Sequence, residues 1–146
     1  MNWLPTVSRY GCIDPRERIL EEIAVEWKVR AIRGATTARE NTIGEITEVV
    51  TELLHCLEKH NQLDPEEIVS VIFTTTRDID VIFPAAIARQ RPGWDTVPLL
   101  DLQQLHVEGS LKHCIRVLIH LNSPKLQREM RHCYLREAII LRPEWS

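Results

Sequence analysis

Arg116 lies in the segment CIRVLIHL, residues 114–121, where alternation sends Ile115, Val117, Ile119 and Leu121 to one face of a strand. Cys114, Arg116, Leu118 and His120 then take the other face. A guanidinium among apolar neighbours is costly unless an anion meets it. Three readings follow from spacing alone: Arg116 pairs with a structural carboxylate, sits at a solvated edge, or waits for an anionic ligand. Arg33 ends an earlier strand pattern beside Gly34, where the missing side chain lets another group approach the backbone. The alternative there is a turn with a solvated arginine. Arg89, Arg142, Tyr134, Asp101 and Gln104 complete the polar groups at strand and helix positions. Such a set suits a small dicarboxylate, and a reaction that needs orientation and charge stabilisation but no proton transfer or covalent attack.

The elements that must position these residues are legible from periodicity. Lys28–Ile32 reads as a strand. Thr42-Ile43-Gly44-Glu45 has capping-box form, and Ile46, Val49, Val50, Leu53, Leu54 and Leu57 follow as an apolar stripe, predicting a helix of about five turns that ends near His60-Asn61. Asp64-Pro65 opens a short helical turn, Val69–Thr76 is a β-branched strand, and Pro84 starts a short helix over Ala85–Gln90 that Pro92-Gly93 stops. Val97–Leu100 and the Arg116 segment are further strands, separated by a turn at Gly109-Ser110. The last predicted strand is Tyr134–Arg142, again by alternation. The sum is an α+β domain: a mixed sheet covered on one face by a long helix, with the other face apolar and needing cover that oligomerisation would supply. Residues 1–27 read as an appendage and residues 28–146 as the domain. In the appendage, Asp14-Pro15 begins an amphipathic pattern through Ile19, Leu20, Ile23, Ala24 and Trp27. That pattern fits a helix covering a surface or a partner subunit, a poorly ordered arm, or translation from an upstream start codon.

Composition narrows the function classes. A net charge of −3 leaves no basic stripe for nucleic acid. The cations are 14 Arg against 4 Lys, a bias that fits planar, bidentate recognition of carboxylates and equally fits genome composition. The cysteines, at 12, 56, 114 and 133, show no CxxC and no histidine pair at metal spacing. They read as reduced thiols of a cytoplasmic protein, with no metal site, and His55 and His60 read as solvated. No apolar run approaches a membrane span, and no signal-peptide pattern, nucleophile elbow or phosphate-cradling glycine loop is present.

Four separated motifs carry a resemblance: Ala31-Ile32-Arg33-Gly34-Ala35-Thr36-Thr37; Phe83-Pro84-Ala85 with Arg89; Gly109-Ser110-Leu111-Lys112-His113-Cys114-Ile115-Arg116; and Arg131-His132-Cys133-Tyr134-Leu135 with Leu141-Arg142-Pro143. In order and spacing they resemble the AroH-type chorismate mutases from about Val29 onward. The resemblance implies a homotrimer whose sheets pack into a pseudo-α/β-barrel, with sites between neighbouring subunits. It implies rearrangement of chorismate to prephenate, a step toward phenylalanine and tyrosine, without cofactor or metal. Arg116 matches the arginine facing the ether oxygen, Arg33 and Tyr134 match groups that hold a carboxylate, and Phe83 matches an aromatic wall from the neighbouring subunit. Arg89 matches an arginine at the mouth and Arg142 one near the C-terminal tail; Ala85, Ala86, Leu100 and Leu141 complete the implied substrate contacts. Departures are also present: the family's glutamate falls at Gln104, its cysteine at Asp101, a lysine at Ala86 and a threonine at Leu100. The expectation is that Asp101 supplies the carboxylate lost at Gln104. The alternative is a non-catalytic homologue, a ligand sensor or scaffold for a small dicarboxylate.

Overall fold

The computed structural model describes residues 15–16 and 26–145. Pro15 and Arg16 are helical; the rest of the amphipathic pattern expected before Glu26 lies outside the described residues.

The long helix α1 spans Ile43–Asn61. Thr42 caps it, its Oγ1 accepting from the Glu45 amide at 3.2 Å. The reciprocal half of the capping box is diverted: the Glu45 carboxylate accepts from the Arg39 amide at 3.1 Å and pairs with Arg136. At the other end Gln62 turns left-handed, φ 49°, and the Leu63 amide donates to the Glu58 carbonyl. The six stripe residues from Ile46 to Leu57 are fully buried. At roughly 1.5–3 kcal/mol per aliphatic side chain, that one stripe contributes on the order of 10 kcal/mol to holding the helix on the sheet.

Five strands form one mixed sheet: β1 Lys28–Thr37, β2 Ile68–Thr75, β3 Leu99–Gln103, β4 Cys114–Ser123 and β5 Cys133–Tyr134, in spatial order β3-β2-β4-β1-β5. Strand β4 is central and antiparallel to both β1 and β2; β3 runs parallel to β2, and β5 parallel to β1. Ile32, Val71, Phe73, Ile115, Val117 and Ile119 turn into the core, and the alternation expected for 114–121 holds residue by residue. Gly34 lets α1 and β5 close on β1: a Cβ there would lie 2.9 Å from Leu53 Cδ1 and 3.1 Å from the Cys133 carbonyl oxygen. The short helix α2, Pro84–Ala88, packs beside α1. The turn expected at Gly109-Ser110 is present, with Gly109 at φ 78°.

Two expectations are corrected. The strand placed at Val97–Leu100 lies two residues later, at Leu99–Gln103, because the parallel pairing with Val71–Thr75 begins only after Pro98. The strand expected over Tyr134–Arg142 ends after Tyr134. Arg136 takes φ 52°, and residues Arg136–Leu141 form a 3-10 helix. Arg136 contacts Glu45, Glu48 and Glu52 of α1, which pulls the chain off the sheet edge and onto the helix.

The outer edge of β1 beyond β5 is covered by side chains. Gln127 both donates to the Ala31 carbonyl at 2.7 Å and accepts its amide at 3.0 Å, as a strand partner would. The Arg33 amide donates to His132 Nδ1 at 2.9 Å.

Candidate functional site

Register carries the expected residues into rows across the sheet face opposite α1. Tyr134 is aligned with Ala35, Ala35 with Arg116, Arg116 with Thr74, and Thr74 with Leu102. The next row runs Arg33, Leu118, Ile72, Leu100. At the usual strand spacing, Tyr134 and Arg116 stand about 10 Å apart on one surface. Gln104 extends β3 on this side, its amide donating to the Thr75 carbonyl at 2.8 Å.

The surface is concave at this point. Arg33, Thr74, Gln104 and Arg116 line a groove of 480 Å³ walled by Ile72, Leu102, Leu105 and Leu118. Within it the Arg116 Nε and the Gln104 Oε1 are both buried without a hydrogen-bond partner. A buried donor or acceptor left unpaired costs about 1–3 kcal/mol. Among the described residues, neither Arg116 nor Arg33 forms an ion pair, so the structural-carboxylate reading of Arg116 does not hold. The Arg116 Nε and the Gln104 oxygen thus face one apolar-walled space without a partner, while the same guanidinium reaches the Cys114 thiol elsewhere. That arrangement suits a ligand with an electron-rich oxygen beside a hydroxyl. Two residues before Arg116 the chain is stapled: the Cys114 amide donates to Thr76 Oγ1, and Asp78 accepts from Thr76 and from the His113 amide. Burial raises the Cys114 thiol pKa, an effect opposed by a hydrogen bond from Arg116 and then by its charge.

Tyr134 is buried with Ala35 and Ala138, and Leu141 and Trp145 pack on it. Trp145 stacks on His132 at 4.0 Å between ring centroids. Arg142 lies 3.3 Å above the Trp145 ring and pairs with Glu144. His132 has its pKa lowered by burial, then by the charges of Arg33 and Arg142.

The remaining expected residues fall on a second surface. Phe83 (70% exposed), Ala86 and Asp101 line a groove of 540 Å³ with Ile82 and Pro84. Ala85 is buried and its amide donates to Asp101 Oδ1 at 3.0 Å, so Asp101 secures the start of α2. Burial raises the Asp101 pKa, opposed by that amide and by Arg89. Asp101 is aligned with Phe73, on the core side of β3, whereas Leu100 and Leu102 point to the open face, 54% and 47% exposed. One chain therefore does not bring Asp101 together with Gln104. It presents two half-sites on either side of β3.

Several groups at these surfaces were not among those singled out by sequence. Thr74, opposite Arg116, needed the β2–β4 register; His132 and Trp145 needed the folded tail. Two cysteines and His60 also come closer together than their sequence spacing suggested. Cys56 and Cys133 each place Sγ 3.5 Å from His60 Nδ1, so His60 is not simply solvated. Burial and the neighbouring Cys56 push the Cys133 thiol up. The Cys-x3-His spacing on one helix was the available signal, but the third member, 73 residues away from His60, was not.

The chain is similar to known proteins over most of its length. A family model described as chorismate mutase type I matches residues 29–145. The chain is 37% identical over 118 residues to the Bacillus subtilis (strain 168) protein named chorismate mutase AroH, covering 81% of this chain and 93% of that one. It is 46% identical over 117 residues to the Thermus thermophilus protein of the same name, covering 80% and 95%. A solved structure of a chorismate mutase from Clostridium thermocellum superposes with a TM-score of 0.72 at 42% identity, covering 75% of this chain and 97% of that one.

Proposed function

The chain belongs to the type I chorismate mutase family, and we propose that it converts chorismate to prephenate by holding a fixed cation where negative charge grows. The rearrangement breaks the ether C–O bond as a C–C bond forms, with no proton transferred and no covalent adduct. Electron density builds on the departing oxygen in the transition state. A guanidinium aimed there binds that state better than the substrate, which is what raises the rate. The observation that carries this reading is the buried, unpartnered Nε of Arg116 in an apolar groove beside the unpartnered Gln104 oxygen. Arg33 and Tyr134, on the same face, take a substrate carboxylate. Gln104 accepts from the ring hydroxyl.

The two half-sites support completion of the site between copies of the chain: Phe83, Ala86 and Asp101 of one copy set against Arg33, Gln104, Arg116 and Tyr134 of the next. Arg89 and Arg142 stand at the rim, and Leu100 and Leu141 supply apolar contact. Leu100, Leu102 and Leu105, all exposed on this side, favour burial against a second copy, and a homotrimer is the assembly proposed. In that arrangement Asp101 approaches the substrate from the neighbouring copy, and so supplies the carboxylate that Gln104 lacks. Residues 28–146 form the catalytic domain, with residues 1–27 as an extension, and the cytoplasm is the proposed location; among the described residues no helix is long and apolar enough to cross a membrane.

The direct test follows the loss of chorismate's ultraviolet absorbance with purified protein. Turnover well above the uncatalysed background is expected. Binding of chorismate without turnover would instead make the chain a ligand sensor or scaffold. Sedimentation should give three chains per particle, and a fully active monomer would overturn the shared site.

A further inference from the structure

From the convergence of Cys56, His60 and Cys133 we propose a binding site for a thiophilic d10 cation, Zn(II) being the fitting case, at the end of α1. One ligand atom from each residue lies within 4.8 Å of the others. Both Sγ–Nδ1 separations are 3.5 Å. Around a tetrahedral zinc with bonds of about 2.3 Å to sulfur and about 2.0–2.1 Å to nitrogen, adjacent S and N ligands stand about 3.6 Å apart. Both sulfur–nitrogen separations thus match those of ligands on one ion, and the two sulfurs lie within 4.8 Å of each other. Without an ion, one thiol pairs with the imidazole nitrogen and the two sulfurs interact with each other. A cation at the centre satisfies all three.

The surrounding scaffold holds these residues in place without the ion. Asn61, next to His60, donates to the Arg131 carbonyl and accepts from the Arg131 amide, both at 2.8 Å. That two-way bond fastens the end of α1 to the chain just before β5, setting Cys133 opposite the Cys56–His60 pair. Burial is graded: Cys133 is buried, Cys56 half-buried and His60 exposed. The exposed side gives an ion its entry path and leaves a fourth position for water or an outside ligand. Two sulfurs and one nitrogen favour Zn(II) or Cu(I) over Mg(II) or Ca(II). Bound there, the ion would tie α1 to the residue preceding Tyr134, so the site has a structural role that does not depend on the reaction proposed above.

The test is Zn(II) competition against a chromophoric chelator, using the full-length chain kept reduced, together with Co(II) substitution. The expected result is one ion per chain, a sulfur-to-cobalt charge-transfer band, and a Zn(II)-dependent rise in melting temperature. Cys56→Ser and His60→Gln, both at solvent-reachable helix positions, should keep the native circular dichroism. Each should weaken binding by more than the roughly 10–100-fold that loss of a second-shell partner costs, and remove the melting shift. Binding unchanged in both variants, or no ion taken up by the reduced chain, overturns the assignment. So does a Cys56–Cys133 disulfide that persists under reductant and blocks uptake.

Discussion

Two sets of arginines divide the molecule. On the helix-covered side they are saturated with carboxylate. Arg91 grips Glu58 through Nε at 3.1 Å and through a second nitrogen, while Trp94 donates to the same carboxylate at 3.0 Å. Arg136 is met by Glu45, Glu48 and Glu52. On the open face Arg33 and Arg116 have no ion pair among the described residues, and Arg116 keeps an unpartnered, buried Nε. The same residue type thus does two jobs, and what separates them is whether the fold supplies the anion. A neutralised guanidinium fixes position; an unneutralised one in an apolar groove is preorganised for charge that arrives later.

The hardest test of that division is Arg116→Lys. A flexible point charge cannot reproduce the planar donor, and loss of one preorganised donor typically costs about 10²–10³ in rate. The expected outcome is a drop in kcat of at least that size with little change in melting temperature. Near-normal turnover would break the comparison from the catalytic side. Glu58→Gln probes the other side. It strips the charge from an acceptor that holds Arg91 and Trp94 together at the core margin, so denaturant unfolding should show a loss of about 2 kcal/mol, the scale of hydrogen bonds to charged groups. Turnover by the folded fraction should be unchanged. A stable but inactive variant would show that the two arginine sets are not separate.

How much of this could be read in advance depends on which interactions are local. The α1 stripe and the β4 alternation are short-range patterns, and both were legible down to the residue. The end of β5 was not. Residues 134–142 alternate as a strand would, yet their fate was decided by three glutamates of α1 that capture Arg136, some ninety positions away for Glu45. The groove arginines were legible by type, because an isolated guanidinium among apolar residues is conspicuous. Their shared row with Tyr134 was not, since register between distant strands leaves no mark in either strand alone. Asp101 shows the same limit. Three positions from Gln104 suggests nearness, but an odd offset along a strand sends the two side chains to opposite faces.

That geometry sharpens the substitution at Gln104. Gln104→Glu restores a carboxylate opposite Arg116, and charged hydrogen bonds are roughly twice as strong as neutral ones. An increase in turnover of up to about tenfold is expected, about 1.4 kcal/mol in barrier. Asp101→Asn keeps an oxygen for the Ala85 amide while removing the charge, and a fewfold loss of turnover is expected if Asp101 serves the substrate of a neighbouring copy. Unchanged turnover in Asp101→Asn would leave it as the anchor of α2 alone, and Gln104 as the sole polar partner on that side.

The smallest expected effect concerns His132, which accepts the Arg33 amide and stacks under Trp145. Its folded pKa is depressed, by burial first and then by Arg33 and Arg142, so the neutral ring is the form the fold prefers. A depressed histidine contributes stability that is fully present above its unfolded value of about 6.5 and is lost as pH falls through the lower folded value. Protonation at Nδ1 would also cancel the acceptor that the Arg33 amide needs. Melting temperature should therefore decline on acidification from neutrality, by a few degrees at most, and His132→Asn, which cannot titrate but can still accept, should flatten that part of the profile. An equal decline in the variant would move the acid sensitivity to another group and leave Arg33 held by its strand, not by His132.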